Sequence, residues 1–253
     1  MIIPFKKTKE DAISAFKKLS KGRPLMPKFF NKQENIEKIR GVYIPFWLYD
    51  IKVDGSVNLE AKDIDRWSSG DTTYVKTKIY DLVREGNMDY IGVPVDASTR
   101  FTDDIMNTIE PFDYKDLINY NHAYLAGFLA EKYDVESNDA SKVAESRTLE
   151  TTRNVIKNDS KHGNATIYDS VTIKNDNLDA TIDNYKYILL PVWMVNVKYN
   201  DKMYLFAMNC QTGEFVGNIP LDKKKTILYS ILIFIIAFII CVIISYISFT
   251  NGG

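Results

Sequence analysis

The chain has 253 residues, 45% of them apolar, and 32 Lys and Arg against 33 Asp and Glu. That length suits one large domain or two small ones, and the balanced charge excludes a bulk electrostatic pull toward nucleic acid or acidic lipid. Two cysteines, Cys210 and Cys241, give no disulfide framework, which agrees with a reducing compartment.

The opening Met1-Ile2-Ile3-Pro4-Phe5-Lys6-Lys7 is too short in apolar residues for a signal peptide. Residues 2–5 read as a short strand and residues 9–21 as a helix. Thr8 is placed to cap that helix, Asp11 favours its free N-terminal amides, and Gly22 ends it. Ile13, Phe16 and Leu19 form a narrow apolar stripe. Lys6, Lys7, Lys17, Lys18 and Lys21 make a basic face, solvated by default, with anionic lipid or nucleic acid as the alternative contact.

Strands are predicted over 41–53, 56–64, 72–83 and 88–94, with Gly86-Asn87 as a hairpin turn. Residues 95–121 are rich in turns and acidic side chains. Asn121 caps a predicted helix in which Tyr124, Leu125, Phe128 and Leu129 recur at helical spacing. Residues 134–139 interrupt it, and a weakly amphipathic helix follows over 140–156. The polar loop expected at 158–164 holds two Asn-x-Ser/Thr triplets, starting at Asn158 and Asn164, which carry no meaning in a cytoplasmic domain. Strands over 166–174, 187–199, 202–209 and 214–217 complete this part, with Thr212-Gly213 as a turn.

Two passages match nearly position for position: Tyr43-Ile44-Pro45-Phe46-Trp47-Leu48-Tyr49-Asp50-Ile51-Lys52-Val53 and Leu189-Leu190-Pro191-Val192-Trp193-Met194-Val195-Asn196-Val197-Lys198-Tyr199. A duplicated helix-strand-strand unit explains the match, with units around 1–95 and 123–220. Proline donates no ladder hydrogen bond, so Pro45 and Pro191 belong at strand starts or bulges. Trp47 and Trp193, each burying on the order of 200 Å², are expected to anchor the core.

Residues 226–249 contain no charge and are dominated by Ile, Leu, Phe and Val. As a helix they span roughly 36 Å, enough to cross a hydrocarbon layer about 30 Å thick. Lys223, Lys224 and Lys225 stand before them and nothing basic follows, which places the main domain, 1–222, on the cytoplasmic side with a short tail at 250–253.

Chemical motifs are sparse. His122 and His162 lie far apart, and no Cys pair has metal-ligand spacing. Neither a phosphate-binding glycine loop nor a Gly-x-Ser-x-Gly elbow occurs. The one enzyme-like constellation is acidic: Asp96, Asp103, Asp104 and Glu110, suited to a divalent cation or to acid/base chemistry. Against that reading, Asp96, Ser98 and Asp104 stand where turn and helix caps are wanted.

Several segments occur in a fixed order: Ile3-Pro4-Phe5-Lys6, Gly41-Val42-Tyr43-Ile44-Pro45-Phe46-Trp47-Leu48, Val93-Pro94-Val95-Asp96-Ala97-Ser98, Ile109-Glu110-Pro111-Phe112-Asp113, Ala123-Tyr124-Leu125-Ala126-Gly127-Phe128, Leu190-Pro191-Val192-Trp193 and Phe206-Ala207-Met208-Asn209. In this the chain resembles a family of Firmicute membrane proteins that usually carry a transcription-factor-IIB-type zinc ribbon at the N-terminus. The ribbon would precede Ile3, where this chain starts, so zinc binding is not carried over. Some relatives are labelled replication-restart helicases, a label that does not transfer without a phosphate loop. The resemblance implies an architecture and no catalytic residues.

The expectation is therefore an α+β protein: antiparallel sheet from two related strand-pair units, helices, and one C-terminal transmembrane helix. Its expected role is a membrane-anchored cytoplasmic scaffold for a protein or peptide partner, single-pass in the cell membrane through residues 226–249. No cofactor, metal or catalytic residue is expected, and nucleic acid is a disfavoured partner. The alternatives are a hydrolase using Asp96, Asp103 and Asp104, and a membrane-surface nucleic-acid adaptor.

Overall fold

The centre of the computed structural model is a pair of long antiparallel strands, β1 (Arg40–Ser69) and β4 (Ser170–Tyr199), with Ile44 opposite Leu190. Residues 1–21, 23–101, 103–162 and 167–251 are described. Around the pair lie α1 (Lys9–Lys21), α2 (Gln33–Ile36), β2 (Thr72–Asp96), α3 (Asp103–Ile109), β3 (Leu129–Ala130), α4 (Ser137–Lys161), β5 (Lys202–Asn209), β6 (Phe215–Gly217) and α5 (Lys223–Asn251). The fold is α+β. One sheet runs in the order β2-β1-β4-β5-β6, and β3 adds to β1 in parallel.

Where β1 and β4 cross, both faces of the sheet are buried. Ile44, Phe46, Leu48, Ile188, Leu190 and Val192 point to one side, where Ile105, Met106 and Ile109 of α3 cover them. Trp47, Tyr49 and Ile51 point to the other and pack on Ala140 and Ala144 of α4. On that same side Trp193, Val195 and Val197 pack on Ala12 and Phe16 of α1. A strand covered on both faces reads as a continuous apolar run rather than an alternation, which is the pattern of residues 42–49.

The two matching passages occupy corresponding places. Tyr43 faces Pro191 and Pro45 faces Leu189, so exchanging the passages maps the pairing onto itself. Trp47 pairs with Val95 on β2, and Trp193 with Met208 on β5. Just beyond, Ala97 N donates to Pro45 O and Cys210 N to Pro191 O. The Trp47 indole donates to Val135 O at 2.9 Å and the Trp193 indole to Lys7 O at 3.0 Å. Val135 leads into α4 and Lys7 leads into α1, so α1 packs on the strands of the other half, while α4 packs on β1 and β2 and also on β4 of its own half.

Several elements run longer than the sequence suggests. The strands expected at 41–53 and 56–64 are one strand, as are those at 72–83 and 88–94. The hairpin is at Gly70-Asp71, between paired Ser69 and Thr72, and Gly70 takes the positive φ of 59° that a two-residue turn with glycine first requires. Gly86 and Asn87 instead lie mid-strand opposite Gly55 and Asp54. Gly55 marks a close approach: a Cβ there would lie 2.0 Å from Asn177 O, and its φ is +137°. The expected helix after Asn121 is a short 3-10 turn, His122–Leu125, followed by β3. Asn121 does cap it, accepting from Ala123 N. Residues 158–161, expected as loop, are the end of α4. Gly22 and the triplet starting at Asn164 fall outside the described residues. The helix at 9–21 and the strand at 202–209 are found as expected, with Thr8 and Asp11 capping α1 reciprocally.

The paired glycines give a discriminating test. Gly55→Ala must push backbone from backbone and hold a strained φ, a cost of at least about 1–3 kcal/mol, whereas a Cβ at Gly86 meets nothing within 4 Å. Thermal unfolding of the detergent-solubilised chain should show a clear drop for Gly55→Ala and little change for Gly86→Ala. Equal drops would contradict the assigned register.

Candidate functional site

Asp96 ends β2 opposite Phe46, and its Oδ1 accepts the Ser98 amide at 3.0 Å. That is the turn-capping geometry open to Asp at such a position. The chain then passes through α3, whose Ile105, Met106 and Ile109 are buried against the sheet, to Glu110. Asn209, the counterpart of Asp96 at the end of β5, donates through Nδ2 to Ile109 O at 2.9 Å and Pro111 O at 3.0 Å. This clamp fixes Glu110 beside Asp96. Asp103 and Asp104 open α3, and their side chains lie outside the described residues. The structure therefore brings together Asp96 and Glu110 of the expected constellation.

The residue that sequence reasoning missed here is Arg147 of α4. Its guanidinium donates to Pro94 O at 2.8 Å and to Asn107 Oδ1 at 3.1 Å. Burial pushes the Glu110 carboxyl up to about 7; Arg147 opposes the shift, and the nearby Asp96 adds to it. Tyr114 is raised as well, by burial first and then by Glu110. A carboxyl in this range can carry a proton near neutral pH. Nothing in the spacing of Arg147 marks it, because its place depends on how α4 crosses the sheet.

The histidines stay apart. His122 Nδ1 meets Tyr120 Oη at 3.0 Å on the surface, and His162 ends α4. Among the described residues, no three His, Cys, Asp or Glu side chains gather where they could hold a metal ion. Cys210 is buried, its Sγ accepting from Lys6 N and Lys7 N, and burial raises its thiol pKa above the ordinary value.

The second candidate region is the root of α5. The helix runs from Lys223 to Asn251, and its stretch Lys223–Tyr246 is long and apolar enough to cross a membrane, with none of that stretch buried in the protein. Asp222 Oδ1 caps it, accepting from Lys224 N and Lys225 N. The root is fastened to the loop after α1: Asp222 N donates to Leu25 O at 2.9 Å, and Lys225 Nζ to Met26 O at 2.8 Å and Pro24 O at 3.2 Å. Beside it lies a cleft of about 550 Å³ between the β4–β5 turn and residues 220–224. The turn is tight, with Asn200 and Asp201 both at positive φ. Another cleft, of about 420 Å³, lies under α4 between Val53, Met88, Val155 and Leu178.

The Glu110 corner has a signed pH dependence. A folded value near 7 against an ordinary 4.5 means its stabilisation is fully present below pH 4.5 and is lost as pH rises through about 7. Glu110→Gln, which copies the protonated form, should therefore stabilise the chain at pH 8 and have little effect at pH 4.5. Denaturant midpoints with the same gain at both values would contradict this.

No known family profile matches the chain, and no solved structure matches it. It is similar to a protein of Bacillus subtilis (strain 168) bearing the name "Uncharacterized protein YdjG", with 34% identity over 224 residues. The match takes in 88% of this chain and 64% of the relative, so the chain spans less than two thirds of that protein's length.

Proposed function

We propose that this chain is a membrane-anchored binding or scaffold protein whose α+β domain faces the cytoplasm. The observation that carries the reading is α5: a long apolar helix with no protein cover, fastened at its root to the folded domain by backbone and Lys225 hydrogen bonds. An uncovered surface of that size is compatible with lipid and costly in water. The three lysines at its root support the cytoplasmic side.

Support for a binding role comes from β2. It is the outer strand of the sheet, and Tyr74, Val75, Ile79 and Val83 are exposed along it. Exposed edges of this length accept added strands from peptide partners. The order of sequence motifs supports kinship with the Firmicute zinc-ribbon family described above.

A hydrolase at Asp96 and Glu110 is the second reading, favoured by the raised Glu110 pKa beside another carboxylate. Against it, Asp96 Oδ1 is engaged by Ser98 and the Arg147 guanidinium by Pro94 and Asn107. Cleavage of p-nitrophenyl esters or phosphates by the full chain, abolished by Asp96→Asn, would replace the scaffold reading.

The anchor is tested by fractionation. The full chain should stay in the membrane pellet through alkaline carbonate, and removal of residues 223–253 should release a folded domain to the supernatant. Carbonate extraction of the full chain would overturn the proposal. A Thr250→Cys variant labelled by impermeant maleimide only after lysis would overturn the cytoplasmic placement of the domain.

A further inference from the structure

The cleft at the root of α5 gathers lysine and tyrosine side chains, the tyrosines also packing on Phe30 of the core. Tyr199 and Tyr204 line it with Lys202, Leu221, Lys223 and Lys224. Lys225, the neighbour in sequence, is turned away and spent on Pro24 O and Met26 O. By contrast, no ion pair or side-chain hydrogen bond holds the ammonium groups of Lys202, Lys223 and Lys224 among the described residues, although Asp222 stands within the same cleft. The Asp222 carboxylate is occupied, capping α5 through Lys224 N and Lys225 N. Asp201, at the tip of the β4–β5 turn, is paired with Lys198. The result is an open, net-positive recess with two tyrosine rings and an exposed leucine.

Its position supplies the occupant. The recess sits at the first turn of α5, and the apolar stretch begins there, so an inserted helix brings it to the depth of the lipid headgroups. Tyrosines favour that layer because the ring is apolar and the hydroxyl polar, and lysines there meet lipid phosphate. We propose that this cleft binds the phosphate-bearing headgroup of an anionic phospholipid, with Lys202 and Lys224 as its charged contacts and Tyr199 and Tyr204 against the glycerol region. The site rests on the reading of α5 as a membrane anchor. It also gives the root of the helix a second fastening, through lipid, besides the hydrogen bonds to the loop after α1.

The test uses the full chain in neutral detergent, titrated with dioleoylphosphatidylglycerol, dioleoylphosphatidylcholine or inorganic phosphate, with bound molecules counted by native mass spectrometry. Phosphatidylglycerol should bind at least tenfold more tightly than phosphatidylcholine. Each lysine near an anionic headgroup accounts for about fivefold in affinity, so Lys202→Gln with Lys224→Gln should weaken phosphatidylglycerol by more than tenfold. Lys202→Arg with Lys224→Arg should retain binding, which separates lost charge from lost folding. Equal binding of the two lipids, or full affinity in the double Gln variant, overturns the site. Saturable binding of inorganic phosphate without phosphatidylglycerol binding overturns the lipid assignment in favour of a free-anion site. A chain that resists carbonate yet shows no lipid preference loses this site alone, whereas a chain extracted by carbonate loses the anchor itself.

Discussion

Everything in this molecule depends on the antiparallel pairing of β1 with β4 about Ile44 and Leu190. Because both faces of that crossing are buried, each strand draws part of its cover from the other half. The Trp193 indole needs Lys7 O from the chain before α1, and the Trp47 indole needs Val135 O from the chain before α4. The extreme N-terminus joins the same lattice, with Ile3 N donating to Leu189 O as Glu131 N donates to Tyr43 O. The two indole contacts thus tie each half of the chain to the other. The physical consequence is that the core closes only after contacts between very distant parts of the sequence have formed, a topology associated with slow folding.

The same strands set the layout of the functional regions. β4 ends at the Asn200-Asp201 turn, next to the root of α5, and its opposite end runs beside β1 toward the Gly70-Asp71 hairpin. Thirty strand residues cover on the order of 90 Å. The end beside α5 and the hairpin tip, where Trp67 stacks on Tyr74, are therefore held apart by a continuous ladder. Pairing with β4 ends at Lys62 and Ser170, and beyond it the arm is two-stranded. α4 braces the base of the arm, its Arg153 bonded through two nitrogens to Asp176 of β4. On the proposed reading, this architecture presents an open strand edge well away from the root of α5.

Local signals in the sequence were reliable where local physics decides the outcome. The capping pair Thr8 and Asp11 and the apolar stripe through Phe16 locate α1, and the uncharged stretch after Lys225 locates α5. The strand pairs were legible, but their continuity was not. Gly86-Asn87 looks like a turn because glycine and asparagine tolerate one, yet both lie mid-strand, and the close approach of β4 falls on Gly55 opposite them. Tyr124, Leu125, Phe128 and Leu129 follow a helical spacing for a different reason: Leu125 and Phe128 pack on Tyr43, and a Cβ on Gly41 would lie 2.5 Å from the Phe128 ring. At the acidic corner, Asp96 and Glu110 were nameable in advance. Arg147 was not, since it reaches them only through the packing of α4. The cleft beside α5 was half visible in the lysine triplet, and its tyrosines come from a hairpin whose neighbour only the fold reveals.

The claim that unites these features is that one end of the folded domain rests at the headgroup layer while the arm stands in water. Spin labels placed singly by Leu228→Cys, Lys202→Cys and Asp71→Cys, in full chain reconstituted with Cys241→Ser, measure this through their relative accessibility to oxygen and to a polar nickel complex. The account predicts an acyl-chain depth for position 228, a headgroup depth for position 202 and full aqueous exposure for position 71. Aqueous exposure at position 228, or equal depth at positions 202 and 71, would contradict it.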